Sequence, residues 1–116
     1  MFRVPLVALA ALAAALLAAS SPAAVTKLTG NVGPGFTITL SQGGKKVSSL
    51  KPGSYSLAVN DKSSIHNFRL SGPGFNKATS VPRTGKTTFT VRLRKGTYRF
   101  VCDPHSSSMK GSFRVT

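Results

Sequence analysis

The sequence predicts an all-β protein, a two-sheet Greek-key β-sandwich. From Val25 onward no stretch shows the 3.6-residue period of a helix. Apolar and polar residues instead alternate along several short runs, which glycine and proline turns separate. Such runs place one face of each strand on a core and the other in water, as in antiparallel sheets that pack face to face.

Six segments show this alternation, and each places its apolar side chains on one face. The opposite faces carry threonine, serine and arginine. The stretch 71–86 is the longest without clear alternation, and we interpret it as a crossover between the sheets. The six segments, each with its predicted core-facing residues, are 36–40 (Phe36, Ile38, Leu40), 54–59 (Tyr55, Leu57, Val59), 66–70 (His66, Phe68, Leu70), 87–93 (Phe89, Val91, Leu93), 97–102 (Tyr98, Phe100, Cys102) and 112–115 (Phe113, Val115).

The N-terminal residues have the layout of a secretory signal peptide. A positive start that includes Arg3 precedes an unbroken apolar run over 4–19, and small residues follow at 20–24. An uncleaved membrane anchor is the alternative, but the run is shorter than the roughly 20 residues of a spanning helix. We therefore predict a signal peptide over 1–24, a single domain over 25–116, and a periplasmic, extracellular or envelope-associated location.

The charge is strongly positive. The chain has sixteen lysine and arginine residues but only two acidic residues, Asp61 and Asp103, which gives a net charge of +14. Removal of Arg3 with the signal peptide would leave 14 − 1 = +13. This balance favours an acidic protein partner or an anionic cell envelope. No nucleic-acid-binding motif appears, and export would separate the chain from nucleic acid. Two carboxylates offer no acid/base pair, so we expect no hydrolase and no other enzyme.

The only cysteine lies in a cluster of residues that can bind a metal. Cys102, His105 and Met109 fall within eight residues, and His66 is the only other histidine. Thiolate and thioether are soft ligands that suit copper, and two imidazoles with one thiolate and a distant methionine make a blue-copper arrangement. Zinc prefers four strong ligands. Bound copper would also explain why the cysteine has no disulfide partner.

Two stretches resemble the cupredoxins, the plastocyanin/azurin family of small blue copper proteins. They are SIHNFRL over 64–70 and GTYRFVCDPHSSSMKGSFRV over 96–115. The resemblance implies a single copper ion held by His66, Cys102, His105 and Met109.

The resemblance also implies that Asn67 hydrogen-bonds between the two ligand loops, and that Pro104 removes one N–H that could reach the Cys102 sulfur. Asp103 stands where the family usually has serine or threonine, so the partner of Asn67 is open. An apolar rim for docking is a further hypothesis, and its residues would be Pro34, Phe36, Pro73 and Phe75.

Three functions follow, and the first is favoured. A monomeric carrier would pass single electrons between redox partners at the copper site. The alternative is copper carriage or protection without electron shuttling, and a third is an adhesion-type sandwich without metal. A multicopper oxidase would need more histidines than the two present.

Overall fold

A computed structural model describes Phe2 and residues 24–116. The predicted signal peptide therefore lies outside the described residues except at Phe2 and Ala24, and its cleavage stays a prediction. In the part of the chain that is described, no helix is long and apolar enough to cross a membrane.

The described residues form ten strands and one 3₁₀ turn. Their bounds are β1 Thr26–Val32, β2 Ile38–Gln42, β3 Lys45–Lys46, β4 Ser49–Leu50, β5 Gly53–Asp61, β6 Arg69–Gly72, β7 Phe75–Ala78, β8 Gly85–Leu93, β9 Gly96–Val101, the 3₁₀ turn Asp103–His105, and β10 Lys110–Val115.

The strands make two five-stranded sheets, which confirms the two-sheet sandwich. Their orders are β3-β2-β1-β5-β8 and β4-β10-β9-β6-β7. The pairing is not purely antiparallel, because β1 runs parallel to β5 and β4 runs parallel to β10. After β3 the chain crosses to the second sheet as β4 and returns as β5 on the free side of β1. β5 therefore begins at the same end of the sandwich as β1, and the two strands run in the same direction.

The core lies between the sheets and contains most of the apolar residues that alternation predicts, with Ile38 and Phe89 only partly buried at its edge. Two stacked ring pairs line the second sheet's side of it, with ring centroids 5.8 Å apart for Phe68 and Phe100 and 5.5 Å apart for Tyr98 and Phe113. Gly111 pairs with Phe100 across the ladder, and a Cβ at that glycine would collide with the Phe100 ring. The glycine thus lets the ring lie against its backbone.

Three details of the predicted strands are wrong. Phe36 lies before β2 and is 63% exposed, so it is not a core residue. The strand predicted over 66–70 begins only at Arg69, and its first three residues form an irregular segment. The stretch 71–86 is not a plain crossover, because it contains β7 and the start of β8. Mixed exposure along β7 explains why alternation failed to mark it.

The sandwich has two ends, which we name by their loops. The upper end holds the loops 33–37, 62–68, 79–84 and 102–109, and the lower end holds the turns 43–44, 51–52, 73–74 and 94–95. Strand register defines this division, since Asp61 pairs with Val32 and Gly85 at the upper end and Gly53 pairs with Leu93 at the lower end.

Candidate metal centre

Both histidines and the cysteine meet at the upper end. His66 follows β5 after a short turn, Cys102 directly follows β9, and His105 closes the 3₁₀ turn. The two Nδ1 atoms lie 3.1 Å apart, and the Cys102 Sγ lies 3.7 Å from the Nδ1 of His66 and 3.5 Å from that of His105. Three potential ligand atoms from segments 36 residues apart in the chain therefore form one small triangle.

This triangle has the size that a metal ion requires. The point equidistant from its three corners lies about 2.0 Å from each, close to the roughly 2.0–2.3 Å of metal bonds to histidine nitrogen and cysteine sulfur. Two imidazoles and one thiolate in such a plane match the equatorial ligands of a blue-copper site. The residues therefore fit copper. The two histidines are far apart in the sequence, but the fold brings both within bonding distance of one ion.

The loop that bears Cys102, His105 and Met109 is closed by its own backbone. The N–H of Cys102 donates to the carbonyl of Met109 at 3.0 Å, and the N–H of Met109 donates to the carbonyl of His105 at 2.8 Å. The N–H of His105 donates back to the carbonyl of Cys102 at 3.0 Å. Met109 is thereby held beside the triangle and is almost fully buried.

Asn67 joins the two segments that supply the triangle. Its Nδ2 donates to the Asp103 carboxylate at 2.8 Å and to the Thr79 carbonyl at 3.2 Å, and its Oδ1 accepts from the Asp103 N–H at 2.7 Å. Its own N–H points at the Cys102 Sγ at 3.5 Å. Asp103 is thus the partner that the sequence left open. Its carboxylate gives the Asn67 amide a charged acceptor.

Arg69 balances that charge. Its Nε and second terminal nitrogen donate to the two Asp103 oxygens at 2.8 and 3.0 Å, and its other terminal nitrogen donates to Asn76 at 2.8 Å. The hydrogen bond from Arg69 is the main cause that holds the pKa of Asp103 below its ordinary value; burial opposes it, and the weaker effect of the Asn67 hydrogen bond adds to the lowering. The same pair raises the pKa of Arg69. This fork keeps the carboxylate ionised and fixed in orientation.

Packing surrounds the His66 ring. Gly33 has a φ of 74°, and a Cβ there would lie 3.2 Å from the His66 Cδ2. Phe36 sets its ring edge-on to both imidazoles, with centroids 5.3 Å from His66 and 5.0 Å from His105. The 33–37 turn therefore covers the histidine pair from outside.

The structure divides the predicted docking rim between the two ends. Pro34 and Phe36 lie in the 33–37 turn beside the histidines. Pro73 and Phe75 belong to the lower end, where the Pro73 carbonyl accepts from the Tyr98 hydroxyl at 2.6 Å. Their assignment to a rim around the copper was therefore wrong. The segments 33–36 and 72–75 have the same sequence, GPGF, but they lie at opposite ends of the sandwich.

Sequence reasoning missed Arg69 and Thr79. Arg69 is one of many scattered cations, although its place two residues after Asn67 puts it on the strand that leads away from the site. Thr79 lies in the poorly patterned stretch, and its hydroxyl accepts from the Phe68 N–H at 2.9 Å. The one available signal for Arg69 was that Asp103 needs a cationic partner, which could have been sought among the nearby cations.

Comparisons with known proteins agree with this geometry. The family model of copper binding proteins of the plastocyanin/azurin family matches residues 44–116. No curated protein matches the chain in sequence.

Solved structures share the fold. Reduced rusticyanin is 21% identical, with a TM-score of 0.55 and coverage of 78% of each chain. Reduced auracyanin from Roseiflexus castenholzii is 19% identical, with a TM-score of 0.57 and coverage of 80% of this chain and 98% of that one. Rusticyanin from Thiobacillus ferrooxidans is 25% identical, with a TM-score of 0.51 and coverage of 78% and 76%. Because the family model spans more than half of the chain and the clustered donors suit a single copper ion, the chain belongs to the plastocyanin/azurin family of copper-binding proteins.

Proposed function

We propose that this copper protein is exported and carries single electrons between redox partners, with His66, Cys102, His105 and Met109 as the copper ligands. Bound copper would supply a one-electron couple between Cu(II) and Cu(I). The chain's own residues hold the donors in place, exclude water and offer one route to the surface.

The observation that carries the proposal is the unequal burial of the ligand set. His66 and Cys102 have no exposed surface and Met109 has 1%, whereas His105 is only partly buried. A redox partner can therefore approach one ligand ring without reaching the sulfur atoms. A copper carrier would instead need its ligands open to an acceptor that replaces them one at a time.

The surface around His105 suits brief contact with another protein. Phe36 is 63% exposed and Ile65 is 51% exposed, and both lie at the upper end. Exposed apolar side chains around the one accessible ligand are typical of a protein-interaction site, and they allow a partner to approach closely without many ion pairs. The positive charge of the chain would steer an acidic partner, so docking should weaken as salt rises. We expect the protein to act as a monomer.

The experiment compares electron exchange with copper release in the full copper-loaded protein. We expect a reversible one-electron wave, fast exchange with a soluble redox reagent, and copper that stays bound when a strong chelator is added. Rapid loss of copper to the chelator, with sluggish electron exchange, would instead support the copper carrier.

The ligand assignment has its own test. Cys102→Ser should abolish the intense visible absorption of a copper–thiolate bond, and His105→Ala should bleach or shift it. The matched control is Ser107→Ala, an exposed change in the same loop, which should leave the spectrum unchanged. A colour that survives Cys102→Ser would show that the ligands are other residues.

Export is tested separately from the metal. Expression of the full chain, followed by fractionation and N-terminal sequencing, should find the protein outside the cytoplasm with a new N-terminus near residue 25. An intact N-terminus in the membrane fraction would favour the retained anchor, and copper protein in the cytoplasm would contradict export.

A further inference from the structure

Positive charge is concentrated at the lower end, far from the copper site. Seven exposed lysine and arginine side chains lie there, which we name the lower-end cations. None of them forms an ion pair with a carboxylate. Both acidic side chains of the chain lie at the upper end, Asp61 buried and Asp103 bonded to Arg69. The lower-end cations are Lys27, Lys45, Lys51, Arg92, Arg94, Lys95 and Arg114.

The upper end is closer to balance. Of the fifteen cations between 24 and 116, five lie there with the two carboxylates, and seven lie at the lower end with no acidic side chain. The other three, Lys46, Lys77 and Arg99, lie within strands between the two ends. The carboxyl group of Thr116 would remove only one charge from that excess. The five upper-end cations are Lys62, Arg69, Arg83, Lys86 and Lys110.

The chain enters the domain at the lower end of the sandwich. β1 begins at Thr26, runs parallel to β5, and pairs Thr26 with Tyr55 near the start of that strand. The apolar run over 4–19 therefore joins the domain at the lower end. If that run is kept as an anchor, it would hold the lower end next to the bilayer.

The surface of the lower end favours lipid headgroups over a protein partner. Of the large apolar residues that are exposed between 24 and 116, Phe36 and Ile65 lie at the upper end, and Val25 lies directly before β1. The turns at the lower end thus present cations without an apolar centre. Protein interfaces usually have such a centre, but electrostatic adsorption to anionic headgroups does not need one.

We propose that the lower end is a docking surface for the anionic headgroups of a lipid bilayer, which leaves the upper end facing away. The nine residues of β5 span about 30 Å at roughly 3.3 Å per residue. This separation exceeds the Debye length of about 8–10 Å at ordinary salt. The charge of the membrane would therefore attract the protein without changing the electrostatics of the copper site. The proposal does not depend on whether that site transfers electrons.

The test uses the full copper-loaded chain and two matched triple variants. The lower-end variant is Lys51→Gln, Arg94→Gln, Lys95→Gln, and the upper-end variant is Lys62→Gln, Arg83→Gln, Lys86→Gln. Each removes three exposed cations and touches no copper ligand. Co-sedimentation is measured with phosphatidylcholine vesicles, with and without phosphatidylglycerol. Any contribution from the apolar run is common to all three proteins and cancels in the comparison.

The lower-end variant should lose about a hundredfold in binding to anionic vesicles, because each basic side chain near such a surface contributes about 1 kcal/mol. The upper-end variant should lose less than about threefold, and high salt should remove the difference. A loss below tenfold in the lower-end variant, equal losses in the two variants, or no preference for anionic vesicles would each overturn the proposal.

Two further measurements separate this proposal from the proposed function. The visible spectrum must be the same in all three proteins, which shows that fold and copper site are intact. The reduction potential of the wild-type protein should not change on anionic vesicles, and a shift there would place the copper end on the membrane and overturn the orientation. Failure of electron exchange in solution, with vesicle binding as expected, would count against the proposed function alone.

Discussion

The upper and lower ends of the sandwich share the same strands but differ in how their loops are held. At the upper end, side chains of Asn67, Asp103 and Arg69 bond across segments that are far apart in sequence. At the lower end, short turns close individual strand pairs, and the Tyr98 hydroxyl links the Pro73 carbonyl to the Arg94 N–H. The sheets thus provide a rigid support, and the residues that can bind copper lie in loops at one end of it.

Because the two ends are held differently, a mutation at the upper end should affect copper binding, whereas one at the lower end should affect only stability. Upper-end side chains set the positions of the donors, so their loss should change both the spectrum and the free energy of unfolding. Lower-end side chains close turns about 30 Å away along β5. Their loss should change the free energy of unfolding alone.

The largest expected effect comes from Asn67→Ala. Three side-chain hydrogen bonds disappear in a buried setting, and the Asp103 N–H and the Thr79 carbonyl lose a partner. We expect the free energy of unfolding to fall by about 3 kcal/mol and the visible band to weaken or shift. Chemical denaturation and absorption spectroscopy measure the two effects.

Tyr98→Phe is the matched change at the lower end. It removes two hydrogen bonds to the backbone and should cost about 1 kcal/mol with the spectrum unchanged. A spectral change in Tyr98→Phe as large as that in Asn67→Ala would break the distinction between the two ends.

A pair of glycine substitutions sharpens the comparison. Gly33 and Gly43 both have positive φ, 74° and 55°, so alanine is strained at either by about 1–2 kcal/mol. Only at Gly33 would the new Cβ press on Ser63 and the His66 ring, whereas nothing lies within 4 Å of it at Gly43. Gly33→Ala should therefore be the more destabilising and should alone alter the copper spectrum. Equal effects on stability, or a normal spectrum in Gly33→Ala, would show that His66 is not held by this turn.

The smallest effect concerns pH. Because Arg69 and Asn67 lower the pKa of Asp103 in the folded protein, its ionised form stabilises the fold above the ordinary carboxyl pKa of 3.8. That contribution disappears as pH falls from 3.8 through the lower folded pKa. Both partners are about one-third exposed, so solvent screening keeps the contribution small.

Denaturation of the metal-free protein and of Asp103→Asn from pH 7 to pH 3 measures this term without interference from copper loss. The wild-type protein should be the more stable at neutral pH, and the two curves should converge at acid pH. A stability difference that is constant over the whole range would mean that the carboxylate charge does not contribute.

Much of the fold could be predicted because a strand with one buried face leaves a two-residue period in the sequence. The alternating segments at 54–59 and 87–93 lie within β5 and β8, and their apolar residues belong to the core or, for Phe89, pack against it. The period also failed where burial did not alternate. β7 has no fully buried residue, and Asn67 is as buried as its neighbours His66 and Phe68, so neither stretch could be read correctly from pattern alone.

The copper donors could be predicted for a different reason. Their chemistry is rare in this chain, with one cysteine and two histidines, so few combinations exist. Arg69 could not be found in this way, because sixteen basic residues offer many equivalent partners for one carboxylate. The choice among them depends on the twist and register of β6 and β9.

Sequence alone was enough to predict the type of protein, most of the side chains that face the core, the available donors, and the suitability of these soft ligands for copper. These properties follow from side-chain chemistry and local period, which folding does not alter. Folding alone reveals that Asp103 pairs with Arg69, that Phe36 rather than Phe75 packs on the histidines, and that unpaired cations are in excess at the end opposite the copper. Each depends on which loops meet at one end of the sandwich, and that is set by long-range strand pairing.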